Sequence, residues 1–113
     1  MATLVTAVIR PHSLDAVKEA LKGAGVTGIT ITEVKGFGRQ GGHTEVYRGA
    51  EYTVDLLPKV KVEAIVAPAV VSDVVSAIAG AAGSGKIGDG KIWTVPLESI
   101  MRIRTGELGD DAI

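Results

Sequence analysis

Thr6-Ala7-Val8-Ile9-Arg10-Pro11 and Glu63-Ala64-Ile65-Val66-Ala67-Pro68 are two versions of one segment. Displaced by 57 positions, the chain overlays itself beyond the prolines as well. Leu14, Val17, Ala20, Leu21, Gly23 and Ala24 fall on Val71, Val74, Ala77, Ile78, Gly80 and Ala81. Each copy reads as an apolar strand, a proline, then apolar residues at helical spacing. Ser13 is placed to cap the first helix, and Gly25 and Gly83 to end the two helices. A further strand follows each helix. Gly28-Ile29-Thr30-Ile31-Thr32-Glu33-Val34 is rich in β-branched residues, and Lys91-Ile92-Trp93-Thr94-Val95 follows the second helix.

Two βαβ halves in so short a chain predict an α+β fold. It is a ferredoxin-like double βαβ sandwich of four antiparallel strands with two helices on one face. Lys59-Val60-Lys61-Val62-Glu63 alternates charge with valine, so one face of that strand is solvated or lines a site. Ile100-Met101-Arg102-Ile103-Arg104 repeats the pattern and predicts a fifth short strand. Residues 105–113 carry Glu107, Asp110 and Asp111 and read as a mobile acidic tail.

Between the halves lies Gly36-Phe37-Gly38-Arg39-Gln40-Gly41-Gly42-His43-Thr44-Glu45-Val46-Tyr47-Arg48-Gly49-Ala50-Glu51-Tyr52. It holds five glycines, two arginines, two glutamates and two tyrosines, without apolar periodicity. A loop this long in a compact domain is a binding element or disordered. Glycine lets backbone approach a ligand closely, and polar side chains then orient it.

Composition narrows the function. At 113 residues the chain reads as a single domain, 1–113. A net charge of −1 offers no electrostatic case for nucleic acid, and 4% aromatic residues make a base-stacking platform a poor fit. There is no cysteine, which excludes disulfides and thiolate metal sites. The apolar runs are too short to span a membrane, and the first residues lack the basic and long apolar regions of a signal peptide; the expectation is a cytoplasmic protein. His12 and His43 are too far apart for a metal-ligand spacing, and no general base with a positioned partner is evident.

Two constellations carry chemistry. Gly80-Ala81-Ala82-Gly83-Ser84-Gly85-Lys86 matches seven positions of a phosphate-binding P-loop. Ile87 stands where a hydroxyl is required, and the segment follows a helix rather than a strand. The wider run Ser84-Gly85-Lys86-Ile87-Gly88-Asp89-Gly90-Lys91 remains informative, because successive glycine amides can form an anion nest. It reads equally as a flexible turn. Arg102 and Arg104, if on a strand, share a face. With Arg39, Lys59, Lys86 and Lys91 they make a set of cations near glycine loops or strand ends, suited to a polyphosphate.

These residues resemble the PII signal-transduction proteins, the nitrogen-regulatory PII family, over essentially the whole chain. Three blocks carry the resemblance: 36–52, 84–91, and Arg102-Ile103-Arg104-Thr105-Gly106-Glu107. The resemblance implies a homotrimer that binds ATP or ADP between subunits. It also implies a T-loop over 36–58, a B-loop over 83–91 and a C-terminal tail over 105–113. By position, Arg39, Lys91, Arg102 and Arg104 would hold phosphates, with Gly88, Asp89 and Gly90 lining their nest. Thr30, Glu63 and Ile65 would sit by the adenine, and Gly36, Phe37 and Gly38 by the nucleotide at the T-loop base. Gln40 would ligate Mg2+ and contact 2-oxoglutarate, whose site would include Gly41, Gly42, Lys59 and Gly88. Gly41 departs from the lysine common in relatives.

The resemblance further implies a non-catalytic sensor of ATP against ADP and of 2-oxoglutarate, acting on nitrogen-metabolism enzymes or regulators. Tyr52 would be the target of a nucleotidyltransferase that uridylylates or adenylylates it. Arg48 near the loop tip would enter the pore of an ammonium transporter and so bring the protein to the membrane periphery. The alternatives are a small nucleotide-binding enzyme on the same scaffold and a plain structural trimer.

Overall fold

A computed structural model describes residues 1–37, 43–47, 50–54 and 56–113. The strands are β1 (Thr3–Ile9), β2 (Thr30–Gly36), β3 (His43–Tyr47), β4 (Ala50–Val54), β5 (Leu57–Val66) and β6 (Gly90–Pro96). The helices are α1 (Leu14–Gly23) and α2 (Val71–Ala82). The main sheet is antiparallel in the order β2-β5-β1-β6, so the fold is the expected ferredoxin-like sandwich. Its pairing explains the repeat. Thr6 and Glu63, which overlay in the sequence, face each other across β1 and β5, so a pseudo-twofold axis passes between them.

The sheet has one apolar face because β5 alternates strictly. Val60, Val62, Ala64 and Val66 are buried beside Val5, Ala7 and Ile9 of β1. Val17 and Leu21 of α1 and Val74 and Ile78 of α2 cover them from one side. The opposite face stays open. There Thr30 pairs with Glu63, and Val8 lies between Lys61 and Lys91.

Both helices begin with a proline-led 3-10 turn, Pro11–Ser13 and Pro68–Val70, since proline needs no partner for an N–H it lacks. Ser13 stands at the cap of α1 but makes no capping bond. Its Oγ lies 3.5 Å from His12 Nδ1, and its N–H donates to Arg10 O at 3.0 Å. The 3-10 turn therefore does what the hydroxyl was expected to do. Gly25 lies just past the end of α1 at φ +86°, while Gly83 ends α2 in an extended conformation. Gly83 is constrained by space instead: a Cβ there would lie 2.8 Å from Ala79 O.

Two expectations are corrected. Ile100–Arg104 is not a strand, and among the described residues no strand lies beside it. Met101 makes an isolated bridge to Leu108, and the chain turns back on itself through Gly106 at φ +74°. Arg102 N–H donates to Glu107 O at 2.9 Å and Gly106 N–H to Arg102 O at 2.8 Å. Ile103 is 97% exposed. The tail is docked rather than mobile: Gly109–Ala112 forms a 3-10 turn, and Ala112 is buried. Within 36–58, β3 and β4 form a two-stranded antiparallel ribbon in which Tyr47 pairs with Ala50 and His43 with Val54.

Candidate functional site

The loop between α2 and β6 is organised around Asp89. Its carboxylate accepts the Ser84 N–H at 2.7 Å, the Gly85 N–H at 2.9 Å and the Ser84 hydroxyl at 2.5 Å. These bonds hold its pKa down from the usual 3.8 to about 2, the Ser84 hydroxyl being the largest cause. The serine is thus engaged from two atoms, and its Oγ also accepts the Lys86 N–H at 3.3 Å. Gly85, Gly88 and Gly90 have φ of +81°, +100° and +111°, so the chain reverses hand repeatedly across the loop. Gly90 is also sterically obligatory, since a Cβ would lie 1.9 Å from Val8 O.

Cations meet this loop from two other strands. Lys59 Nζ, on β5, donates to Gly88 O at 3.1 Å. Arg10, directly after β1, donates from Nε to the same carbonyl at 3.0 Å and from Nη2 to Ile87 O. The Arg10 Nη2 also lies 4.0 Å from Asp89 Oδ1. Partial burial, with Arg10 close by, pushes the Lys59 pKa down, and Asp89 offsets part of that shift. Lys91, the second residue of β6, faces Val8 on the open side of the sheet, with Lys61 on Val8's other flank. Lys59, Gly88, Asp89, Gly90 and Lys91 are therefore gathered at one end of the sheet.

A second group assembles along β2 and β5. Thr30, Glu63 and Ile65 line a cleft of about 310 Å³ together with Leu4, Ile100 and Ile113. That volume falls at the lower end of the roughly 300–1,000 Å³ usual for small-molecule sites. Arg102 stands at the edge of this group, in a role the sequence did not suggest. Its Nη1 bonds Glu107 Oε1 at 3.1 Å and its Nη2 donates to Ile113 O at 2.7 Å, holding the tail against the cleft. Arg104 is exposed on the same turn, so the two arginines do not share a strand face. Gly36 closes β2, and Phe37 beyond it is 72% exposed. A further cavity of about 440 Å³, lined by Pro11, Glu33, Lys35, Pro58 and Lys59, lies beside that strand end.

Gly38, Arg39, Gln40, Gly41, Gly42 and Arg48 lie outside the described residues, as does the side chain of Tyr52, although its backbone pairs with Glu45 in the ribbon. Arg10 is the functional candidate that sequence reading missed. It stands in the repeat opposite Ala67, a swap of alanine for arginine at one of two otherwise similar positions, which is the signal that would have singled it out. Among the described residues, no helix is long and apolar enough to cross a membrane, and no three or more His, Asp or Glu side chains gather where they would hold a metal ion.

A small antiparallel sandwich with a glycine-rich loop ordered around Asp89 and a two-stranded ribbon is the class of protein that the structure defines. The family model described as "Nitrogen regulatory protein P-II" matches residues 2–107. Proteins named "Nitrogen regulatory protein P-II" are similar across 109 residues. They include those of Azospirillum brasilense (59% identical), Rhizobium meliloti strain 1021 (60%) and Pasteurella multocida strain Pm70 (56%). In each case the match covers 96% of this chain and 97% of the relative. The chain belongs to the nitrogen regulatory P-II family.

Proposed function

We propose that the protein is a non-catalytic regulator of nitrogen metabolism that senses ATP, ADP and 2-oxoglutarate. Its relatives are named as regulatory proteins, not enzymes. The observation that carries the ligand reading is the loop 83–91. Asp89 ties its start, three glycines take positive φ, two cations grip Gly88 O, and Lys91 stands at its exit. Such a loop suits a phosphate chain. The cleft of Thr30, Glu63 and Ile65 suits a flat, partly apolar base.

The phosphate loop and the cleft occupy different parts of one subunit. Glu63 faces Thr6 on one side of β1, whereas Gly90 faces Ile9 on the other side, three residues and so roughly 10 Å further along that strand. A homotrimer, with nucleotide between copies, would let the loop of one subunit complete the cleft of the next, with Arg102 and Arg104 at the phosphates. The uncovered sheet face supports such assembly, because Trp93 and Val95 remain 44% and 45% exposed there. Mg2+ would be shared between the phosphates and Gln40. 2-Oxoglutarate would take Lys59, with Gln40, Gly41, Gly42 and Gly88 around it. A dianion beside a polyphosphate is repelled unless a cation lies between them, so its binding requires Mg-ATP.

The signal leaves through the ribbon region 36–58. Each ligand shifts that region only by its differential affinity for the region's alternative conformations. The partners are nitrogen-metabolism enzymes or regulators, a nucleotidyltransferase acting on Tyr52, and an ammonium transporter met by Arg48. The protein is cytoplasmic and recruited to the membrane by that transporter under ADP. Calorimetry tests the core of this reading. ATP binds alone, 2-oxoglutarate binds only with Mg-ATP, and Gln40→Ala weakens the acid more than the nucleotide. Equal 2-oxoglutarate affinity with and without Mg-ATP would refute the ligand order. Membrane retention with a cognate transporter, lost in Arg48→Ala, tests the partner.

A further inference from the structure

Arg10 touches three consecutive residues of the loop through one side chain. Nε donates to Gly88 O at 3.0 Å, Nη2 donates to Ile87 O, and the guanidinium flanks the Asp89 carboxylate at 4.0 Å. We propose that Arg10 is the positioning residue of the anion-binding loop: it sets the direction of the loop's amides without touching the ligand. This rests on the reading that nucleotide phosphates bind at 83–91.

The argument is geometric. In a planar trans peptide the C=O and the following N–H point in opposite directions. With Ile87 O and Gly88 O both turned to the guanidinium, the N–H groups of Gly88 and Asp89 are turned away from it. The Asp89 N–H indeed points to Lys86 O, at a long 3.4 Å. Gly88 can hold this orientation because its φ of +100° is open to glycine. Arg10 is itself anchored, since its backbone carbonyl accepts the Ser13 N–H at the start of the first helical segment and its neighbour Ile9 is buried in the core. The loop's geometry is thus referred to the central strand β1.

The shared carbonyl gives Arg10 a second consequence. Gly88 O accepts from both Arg10 and Lys59, one donor for each lone pair. When Lys59 turns to an incoming carboxylate, Arg10 still holds Gly88 O. Occupation of the acid site then leaves the phosphate nest intact, which a loop held only by Lys59 could not achieve. The fork is essential, because an ammonium is a point donor and cannot span two successive carbonyls and a carboxylate.

The test uses the full-length protein as Arg10→Gln and Arg10→Lys, with Lys22→Gln as a surface control. Three quantities are measured: ATP affinity by calorimetry, exchange rates of the Ser84 and Gly85 amides, and the pH titration of the Asp89 carboxyl by NMR. Arg10→Gln should weaken ATP by roughly tenfold or more, the loss of one or two charge-assisted hydrogen bonds. It should also accelerate exchange at both amides and move the Asp89 titration upward. Arg10→Lys should restore less than half of the loss, on a logarithmic scale. Wild-type ATP affinity in Arg10→Gln, or full rescue by lysine, overturns the inference and leaves the nucleotide reading standing. If the wild-type protein binds no ATP, the nucleotide reading fails, and the inference as stated falls with it. The exchange and titration data then show separately whether Arg10 orders the loop. Should Arg10→Gln not fold, Arg10→Lys decides by the same three readings.

Discussion

Gly90→Ala tests a close approach of the β6 backbone to β1. The added methyl would lie 1.9 Å from Val8 O, 3.0 Å from Val8 C and 3.2 Å from Ile9 Cα. None of these is the end of a flexible side chain; all belong to β1, the central strand. Relief requires β6 to move away from β1 at the register pair Ile9–Gly90, just before Lys91. The φ of +111° adds strain of about 1–3 kcal/mol for a residue with a Cβ, and overpacking adds about 1–3 kcal/mol more. The expected loss is therefore about 2–6 kcal/mol, or roughly 8–24 °C in Tm at about 4 °C per kcal/mol for a chain of this size. Gly85→Ala is the comparison. Its φ is +81° but a Cβ there meets nothing within 4 Å, so strain alone costs about 1–2 kcal/mol. Urea and thermal unfolding of both variants, at one protein concentration because assembly couples to stability, measure the difference. If Gly90→Ala costs no more than Gly85→Ala, the contact with β1 does not govern this junction and the reasoning fails.

Asp89, held near a pKa of 2, contributes loop order that is complete above its unfolded value near 4 and is lost as pH falls from about 4 toward 2. Amide shifts of Ser84 and Gly85 should follow that window, and Asp89→Asn should abolish it. Leu21→Ala, at 1% exposure beneath the sheet, should cost about 2–5 kcal/mol in urea unfolding. Lys91→Ala and Arg104→Ala should each weaken ATP by about 1–3 kcal/mol in calorimetry; wild-type affinity in either places that residue away from the phosphates. Glu107→Gln should change stability by less than about 1 kcal/mol, because its pair with Arg102 is well exposed, and a larger loss would mean that the tail's docking depends on it.

The duplicated segments beginning at Thr6 and Glu63 determined most of the fold by themselves. Apolar alternation in β5 and helical spacing in α1 and α2 are local consequences of which face must leave water, so they are written in consecutive residues. Glycine at 85, 88 and 90 was equally legible as an unusual backbone. What the sequence did not determine was which charged groups meet. Arg102-Ile103-Arg104 has the alternation of a strand, but a strand needs a neighbour to share its hydrogen bonds, and only the tertiary structure shows that none of the described residues supplies one. The tail looked solvated because it is acidic. It is held because Arg102, several residues upstream, reaches Ile113 O and Ala112 is covered. Arg10 drew no reading of its own from the sequence. Its contacts with the loop exist only because β1 and β6 are neighbours, which brings the carbonyls of residues 87 and 88 within reach of a side chain 77 and 78 positions earlier. Local pattern follows from burial and backbone conformation, whereas long-range polar contacts depend on the packing of whole elements, and the loop 83–91 is built from the second kind.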